Sequence, residues 1–345
     1  MAINRKIRFA VIGCGHIGKR HASMIQGNEH FELVALCDVK SKETLGIDAH
    51  SSAKFFSSID ELLSADIAID AVAIASPNGF HEEHALAVLE KSCHVVVEKP
   101  MALTKAGCER IIFKALQKHK QVFCVMQNRY SPPSVWLKTI LDEGVLGKIF
   151  MVQTNCYWNR DDRYYKPDQK TGKPTSWHGT KELDGGTLFT QFSHFIDLMY
   201  WYFGDIKNVK ARFNDFIHEK STEFEDSGFI SFDFVDGGMG SLSYSTAVWD
   251  KNLESSITII AEHGSVKVGG QYMNEVEYCH IKNYIMPELP PSNPPNDYGP
   301  YKGSAANHHY IYENISDVIN NEGSITTNAL EGLKVVDIIE RIYSS

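Results

Sequence analysis

Gly13-Cys14-Gly15-His16-Ile17-Gly18 follows the apolar run Ile7–Ile12 and opens a helical segment, and Asp38 ends the next apolar run. Strand, glycine turn, helix, strand and terminal acid in that order constrain the chain far more than a bare G-x-G-x-x-G does. They predict a βαβ unit holding a dinucleotide. Gly13 permits the tight turn, Gly15 lets the backbone approach a pyrophosphate, and Gly18 lets the helix pack close to the sheet. Unpaired N–H groups at the helix start, around His16 and Ile17, face the phosphates. Asp38 accepts hydrogen bonds from both adenosine ribose hydroxyls and would repel a 2′-phosphate, which favours NAD over NADP, although Lys40 and Lys42 weaken the discrimination. The competing reading is a Gly-rich turn in an unrelated doubly wound sheet.

The chain of 345 residues is too long for one ordinary domain and suggests two. Hydrophobic residues make up 43%, enough for real cores, while a net charge of -9 leaves no basic footprint for nucleic acid or a membrane surface. Residues 1–6 lead directly into a strand without a signal-peptide core, and no apolar run reaches membrane-spanning length, so a cytoplasmic protein is expected. Seven cysteines without a C-x-x-C indicate neither a disulfide framework nor a zinc site. Cys14 in the glycine turn reads as a small filler rather than a nucleophile.

Residues 1–127 alternate short apolar runs with helical spacing: Ile7–Ile12, Phe31–Leu36, Ala71–Ala75, His94–Val97 and Val122–Met126 as strands, with helices over Asp60–Ser64, Phe80–Lys91 and Thr104–His119 between them. This predicts an α/β domain, a Rossmann doubly wound parallel sheet. Its ligand rim holds Gly13–Gly18, Ser76-Pro77-Asn78 and Glu98-Lys99-Pro100. Residues 128–345 predict an α+β domain with a large, mostly antiparallel open sheet, from strands within 149–158, 209–216, 228–234, 240–245, 256–261 and 265–268. Thr187–Phe203 is its main helix, the six prolines from Pro287 to Pro300 mark a stiff loop, and helices Tyr310–Ile319 and Ala329–Tyr343 close the chain, packing back on the first domain.

Oxidising an alcohol beside a nicotinamide needs a proton acceptor. Lys99, at the end of the fourth run and before a chain-turning Pro100, is one candidate, since a partly desolvated ammonium near a cationic ring has a lowered pKa. Its plainer reading is a surface pair with Glu98. His194, three residues from Asp197 on one helical face, is the other candidate; its plainer reading is a satisfied core histidine. His81-Glu82-Glu83-His84 lacks the H-E-x-x-H spacing, so no metal is expected and His81 is placed near the nicotinamide or at the helix start.

With these segments in view the chain resembles the glucose-fructose oxidoreductase and inositol dehydrogenase family over nearly its whole length. The likeness rests on the glycine turn, on Ser76-Pro77-Asn78 with His81, on Glu98-Lys99-Pro100-Met101-Ala102, and on Asp184-Gly185-Gly186-Thr187 leading to His194 and Asp197. It implies Lys99 and His194 as the catalytic pair, and Ser76, Pro77, Asn78, His81, Glu98, Lys99 and Gln127 at the cofactor. Many members carry an aspartate four residues before the histidine, where this chain has Thr190. Within the family it is most similar to nucleotide-sugar 3-dehydrogenases of lipopolysaccharide biosynthesis, through Gln127–Pro132, Cys156–Arg160, Trp177–Thr180 and Tyr301–His308. That implies UDP-N-acetylglucosaminuronic acid as substrate and Arg129, Arg160, Thr190, Lys302 and Ser304 as substrate-binding, with Arg163 and Lys173 as further available cations. An NAD-dependent dehydrogenase of a free sugar, inositol or sugar acid, and a non-catalytic NAD-binding regulator on the same fold, stay open. Aromatic residues on the second-domain strands, among them Phe213, Phe232, Phe234 and Tyr244, imply one face covered by the main helix and the other by a second subunit, giving a homodimer or homotetramer.

Overall fold

The computed structural model describes residues 5–47, 52–166, 170, 176–320 and 322–345; Lys173 lies outside them. Two compact units make up the chain. The first joins the chain up to Met126 with His308–Val336, and the second joins Gln127–Asn307 with Asp337–Ser345. The segment 308–336 folds with the first unit, where its helix packs on the helix of the glycine turn.

The first unit alternates β1 (Ile7–Ile12), α1 (His16–Gly27), β2 (Phe31–Cys37), α2 (Lys42–Leu45), β3 (Lys54–Phe56), α3 (Ile59–Ser64), β4 (Ala71–Ile74), α4 (His81–Glu90), β5 (His94–Val97), α5 (Lys105–Lys118) and β6 (Val122–Cys124). Its sheet is parallel throughout, in the order β3-β2-β1-β4-β5-β6. Every residue of β4 is buried, which is why it reads as an unbroken apolar run. The edge strand β3 escapes sequence reading because three residues are too few to show a period. Helix starts carry their local signals: Ser58 accepts the Glu61 N–H and Thr104 accepts the Gly107 N–H.

The second unit contains α6 (Pro132–Asp142), β7 (Ile149–Tyr157), α7 (Asp162–Tyr165), α8 (Ser193–Phe203), β8 (Ile206–Asn214), β9 (Ser227–Phe234), β10 (Met239–Ser245), β11 (Glu254–Ala261), β12 (Gly264–Gly269) and β13 (Glu275–Ile281). Helices α9 (His308–Ile319) and α10 (Ala329–Tyr343) follow. The seven strands lie in the order β13-β12-β11-β7-β10-β9-β8, antiparallel except where β10 runs parallel to β7. Strand β9 shows the alternation of a half-covered sheet: Ile230, Phe232 and Phe234 face inward while Phe229 and Ser231 face out. Phe234 meets Phe203 and Tyr244 meets Phe192, so the main helix does cover one face. The helix expected over 187–203 is not uniform, because Leu188–Phe192 forms a π-helical turn before α8 begins. No helix among the described residues is long and apolar enough to cross a membrane.

Arg129 corrects an expectation. It is 1% exposed, and its guanidinium grips Asp197 of α8 with two bonds, Nε to Oδ2 at 2.8 Å and Nη2 to Oδ1 at 2.6 Å, while lying over Trp201. A fork spent on a buried carboxylate is not available to a substrate. The pair instead fastens the 3-10 turn Gln127–Tyr130 to the main helix. Asp197→Ala leaves that buried cation unpaired and is expected to destabilise the protein by about 3–5 kcal/mol. Denaturant unfolding monitored by tryptophan fluorescence checks this; a loss below about 1 kcal/mol would show that the pair does not hold the helix.

Candidate active site

Four segments of the first unit lie at the carboxyl ends of its strands: 13–18 after β1, Asp38 after β2, Ser76–Asn78 after β4 and Glu98–Pro100 after β5. Strand order reverses between β1 and β4, the place where sheets of this kind take a dinucleotide. Gly13 has φ +84, and a Cβ on it would lie 2.6 Å from Ala75 and Ser76 backbone atoms; at Gly18 a Cβ would lie 1.7 Å from the Gly13 oxygen. Gly15 faces open space, and His16 begins α1 at the surface with Ile17 half-buried. This cradle, shut to side chains at two points and open at a third, fits the diphosphate of NAD against the first N–H groups of α1. The Asp38 carboxylate accepts the Cys14 N–H at 2.7 Å and the Lys40 N–H at 2.8 Å, joining acid and turn in one piece. Burial and the charge of Asp38 push the Cys14 thiol up to about 12, so it is no thiolate nucleophile.

His81 is built into the rim itself. It is 1% exposed, and its ring nitrogens lie 2.7 Å from the Pro100 carbonyl and 2.9 Å from the Ser76 carbonyl, tying the two rim loops together. Burial lowers its pKa against the pull of those carbonyls. Two other members of 81–84 have separate partners: His84 Nδ1 bonds the Ser76 hydroxyl and Glu82 pairs with Arg110. Asn78 is buried at the start of the 3-10 turn that Pro77 precedes.

Glu98 is no surface partner for a lysine, being 7% exposed. Its Oε1 lies 3.0 Å from His21 Nε2 and 3.4 Å from His308 Nε2, and His21 Nδ1 bonds the Tyr312 hydroxyl at 2.7 Å. Burial alone would raise the Glu98 pKa, but the two imidazoles override it and hold the carboxyl well below its ordinary value. Its Oε2 accepts the backbone N–H of Lys99 at 3.2 Å, so this buried network seats the peptide that presents the half-buried lysine. His21, Glu98 and His308 bring three ligand atoms within 4.8 Å, as do Asp215, His218 and Asp226. In both clusters the carboxylate is already occupied by N–H donors, Asp226 by those of Phe216 and Ile217.

In the second unit, His194 (2% exposed) and Thr190 (half-buried) lie one turn apart on the segment that runs from the π-helical turn into α8. The Thr190 hydroxyl donates to the Asp184 carboxylate Oδ1 and to the Asp184 carbonyl. Its neighbour Gln191 accepts Arg160 Nε at 2.7 Å. Arg160 is 2% exposed, and its other bonds run to the Asn159 carbonyl, Asn252 Oδ1 and the Lys302 carbonyl, with Trp158, Tyr164 and Tyr301 rings against the guanidinium. None of these groups is a carboxylate. Burial lowers the Arg160 pKa from its very high ordinary value, yet a guanidinium stays charged. Lys302 contributes its carbonyl to Arg160 while its ammonium pairs with Asp297. Ser304 is turned inward, donating to Asn128 Oδ1 at 2.7 Å, and Arg163 is engaged by Asp161. Gln127 is buried, with its carbonyl accepting from Asn307 and its Oε1 without a hydrogen-bond partner.

A family described as an oxidoreductase family with an NAD-binding Rossmann fold matches residues 7–126, and its GFO/IDH/MocA C-terminal domain matches residues 135–267. The chain belongs to the GFO/IDH/MocA oxidoreductase family. It is an NAD-dependent oxidoreductase. The WlbA dehydrogenase of Bordetella pertussis, whose crystal structure holds NADH and UDP-GlcNAcA, is 31% identical, with a TM-score of 0.86 over 99% of this chain and 96% of that one. D-glucoside 3-dehydrogenase of Escherichia coli K12 is 28% identical over 252 residues, 68% of each chain. Inositol 2-dehydrogenase of Salmonella typhimurium is 30% identical over 216 residues, 60% of this chain and 58% of its own.

Sequence reading missed His21, His308 and Tyr312 around Glu98, Gln191 against Arg160, and Asp184 against Thr190. Only Asp184 carried a signal, its place in the Asp-Gly-Gly motif. The histidines of this oxidoreductase also set its acid response. Burial pushes His84, His94 and His178 down to about 4 and lowers His308. An unfolded histidine titrates near ~6.5. Between that value and the folded pKa the unfolded chain binds protons that the folded protein does not, so stability is full above pH ~6.5 and is lost as pH falls. The depressed Glu98 adds a further loss below pH ~4.3, the unfolded glutamate value. Thermal melting at pH 8, 7, 6 and 5 is expected to give a plateau followed by a steady decline; a midpoint unchanged down to pH 5 would contradict neutral buried histidines.

Proposed function

We propose that this NAD-dependent sugar oxidoreductase removes hydride from C3 of UDP-N-acetylglucosaminuronic acid, with Lys99 and His194 sharing the acid–base work. Arg160 is the observation that carries the reading. Among the described residues only neutral acceptors and aromatic rings meet this buried guanidinium, so its charge is uncompensated there, which is costly until an anion meets it. A uronate carboxylate is such an anion; a neutral hexose or inositol gives the charge no use. The likeness to the Bordetella pertussis enzyme over the whole chain supports the same substrate.

When bound, NAD⁺ supplies the hydride acceptor at its nicotinamide ring. The 3-hydroxyl loses its proton as its carbon loses hydride, and the base that takes it must have a pKa near the working pH. Imidazole is the side chain whose ordinary range suits that task, and His194 supplies one, while the Lys99 ammonium favours the developing alkoxide. Glu98 keeps the Lys99 peptide in place. Cofactor contacts fall to Gly13–Gly18, Asp38, Ser76, Pro77, Asn78 and Gln127. The reading places the protein in the cytoplasm, in the assembly of a lipopolysaccharide sugar.

NADH absorbance is followed after mixing the protein and NAD⁺ with UDP-N-acetylglucosaminuronic acid, UDP-N-acetylglucosamine or myo-inositol. Turnover of the uronate is expected, abolished by Lys99→Ala or His194→Ala; turnover of inositol alone would overturn the substrate. Arg160→Ala is expected to raise KM for the uronate about 10- to 100-fold, as the loss of a charge-assisted bond of ~1.5–3 kcal/mol requires. An equal change for UDP-N-acetylglucosamine would remove Arg160 from carboxylate recognition.

The uncovered sheet face supports a homo-oligomer. Ile260, Met151 and Met239 stand in register across β11, β7 and β10 and are 45%, 44% and 53% exposed, with Phe229 on the same sheet 69% exposed. A row of apolar side chains in water is the kind of patch a second copy covers. Light scattering at micromolar concentration is expected to return the mass of a dimer or tetramer, and a monomer would refute it.

A further inference from the structure

The helical segment that carries Gln191 and His194 starts at Thr187, and the first N–H groups of a helix have no partner within it. The Leu188 N–H is one of these, and it is met from outside, donating to the Tyr343 hydroxyl of α10 at 3.0 Å. That hydroxyl gives its own hydrogen to Glu225 Oε1 at 2.8 Å, and the same oxygen accepts the Tyr244 hydroxyl of β10 at 2.6 Å. The Glu225 carbonyl takes the Thr187 hydroxyl. The two phenol rings lie against the turn itself, Tyr343 beside Phe189 with centroids 6.0 Å apart and Tyr244 beside Phe192 at 5.5 Å. Gly186 permits the approach, since a Cβ on it would lie 2.7 Å from the Tyr343 hydroxyl oxygen.

One residue, Glu225, thus ties down both ends of the turn Leu188–Phe192: the first through Thr187 and the Tyr343–Leu188 bond, the last through the Tyr244 ring on Phe192. The shape held in this way is a rare one, and π-helical turns occur frequently at functional sites. Each residue of an α-helix advances about 100° around the axis, so the extra residue that a π-helical turn takes up rotates everything after it. His194 is the second residue of α8, directly after the turn, and the turn therefore sets the direction in which its imidazole leaves the helix. We infer that Glu225 and Tyr343 are positioning residues for the hydride step, which hold the π-helical turn and with it the orientation of His194. The inference rests on the proposed reading in giving His194 acid–base work. A carboxylate and a phenol that never meet the sugar act on the reaction through the backbone of one turn.

Tyr343→Phe tests this, because it keeps the ring and removes the hydroxyl that meets Leu188. The readout is the rate of NADH formation in a single turnover of the NAD-loaded enzyme with UDP-N-acetylglucosaminuronic acid, taken well below the melting temperature. That rate excludes product release and reports the hydride step. A misplaced base is expected to lower it on the order of 10-fold, with NAD affinity, read from quenching of protein fluorescence, unchanged. Glu225→Leu is expected to slow the step at least as much. Glu225→Gln is expected to recover most of the loss, since its amide oxygen has lone pairs for the same two hydroxyls. Hydrogen exchange of the amides in 187–194, followed by mass spectrometry, is expected to quicken in Tyr343→Phe.

A lowered melting temperature with the wild-type single-turnover rate in Tyr343→Phe would make the network merely structural and overturn the inference. If Glu225→Leu fails to fold, Tyr343→Phe decides alone. Failure of the substrate reading is distinct: the wild type then oxidises a neutral hexose or inositol instead, and the rate is measured on that sugar. Failure of the base assignment shows separately, as the wild-type rate in His194→Ala, and takes the inference with it. If the wild type oxidises none of these sugars, exchange over 187–194 decides, and rates in Tyr343→Phe that match the wild type overturn the hold on the turn.

Discussion

The tightest constraint in the protein is the contact between Gly18 and the Gly13 carbonyl, which leaves no space for even one added carbon. It presses α1 onto the turn that follows β1, and much of the first unit depends on that approach. The helix start stays open for a diphosphate only because the turn is drawn in at both ends. One turn further along, the same helix carries His21 to the Glu98 carboxylate and to Tyr312 of α9. The glycine contact therefore fixes the cradle and also the buried network that seats the Lys99 peptide. A substitution there would be felt at both.

Much of the fold was legible because each unit states its period plainly. Unbroken apolar runs gave β1, β2, β4, β5 and β6, and α10 was read to its exact ends, since its amphipathic spacing is long and clean. What was missed has physical reasons. Strand β3 is three residues long, β13 (Glu275–Ile281) is largely exposed and carries little apolar pattern, and a π-helical turn differs from an α-helix by one backbone bond that no periodicity of side chains reports. The place of 308–336 in the first unit was expected for its helices, but the residues that fix it there, Ile311, Tyr312 and Ile315, are a tertiary fact that apolar spacing alone does not single out.

The site was legible in its residue types and not in their partners. Arg129 and Arg160 look alike in sequence, each an arginine that follows an asparagine close to aromatic residues. Structure separates them by charge balance. Arg129 has a carboxylate at hydrogen-bond distance on two nitrogens and is a structural pin. Arg160 is just as buried and has, among the described residues, only neutral acceptors. Glu98 and Asp184 divide in the same manner: the first is held by two imidazoles that lie 77 and 210 residues away in sequence, a pairing no local motif encodes. The second is held by a hydroxyl six residues on.

Arg160 and Asp184 carry opposite charges and bond to consecutive residues of one π-helical turn, Gln191 and Thr190. Burial pushes the Tyr164 phenol well up, and both charges bear on it as well, Asp184 raising its pKa and Arg160 lowering it. An ion pair between the two would have compensated both charges. Each is bonded instead to a neutral group, Arg160 to the Gln191 amide and Asp184 to the Thr190 hydroxyl. The Arg160 charge, with only neutral acceptors among the described residues, keeps much of its desolvation cost. On the proposed reading an anionic group of the ligand recovers that cost, which an uncharged polyol cannot do.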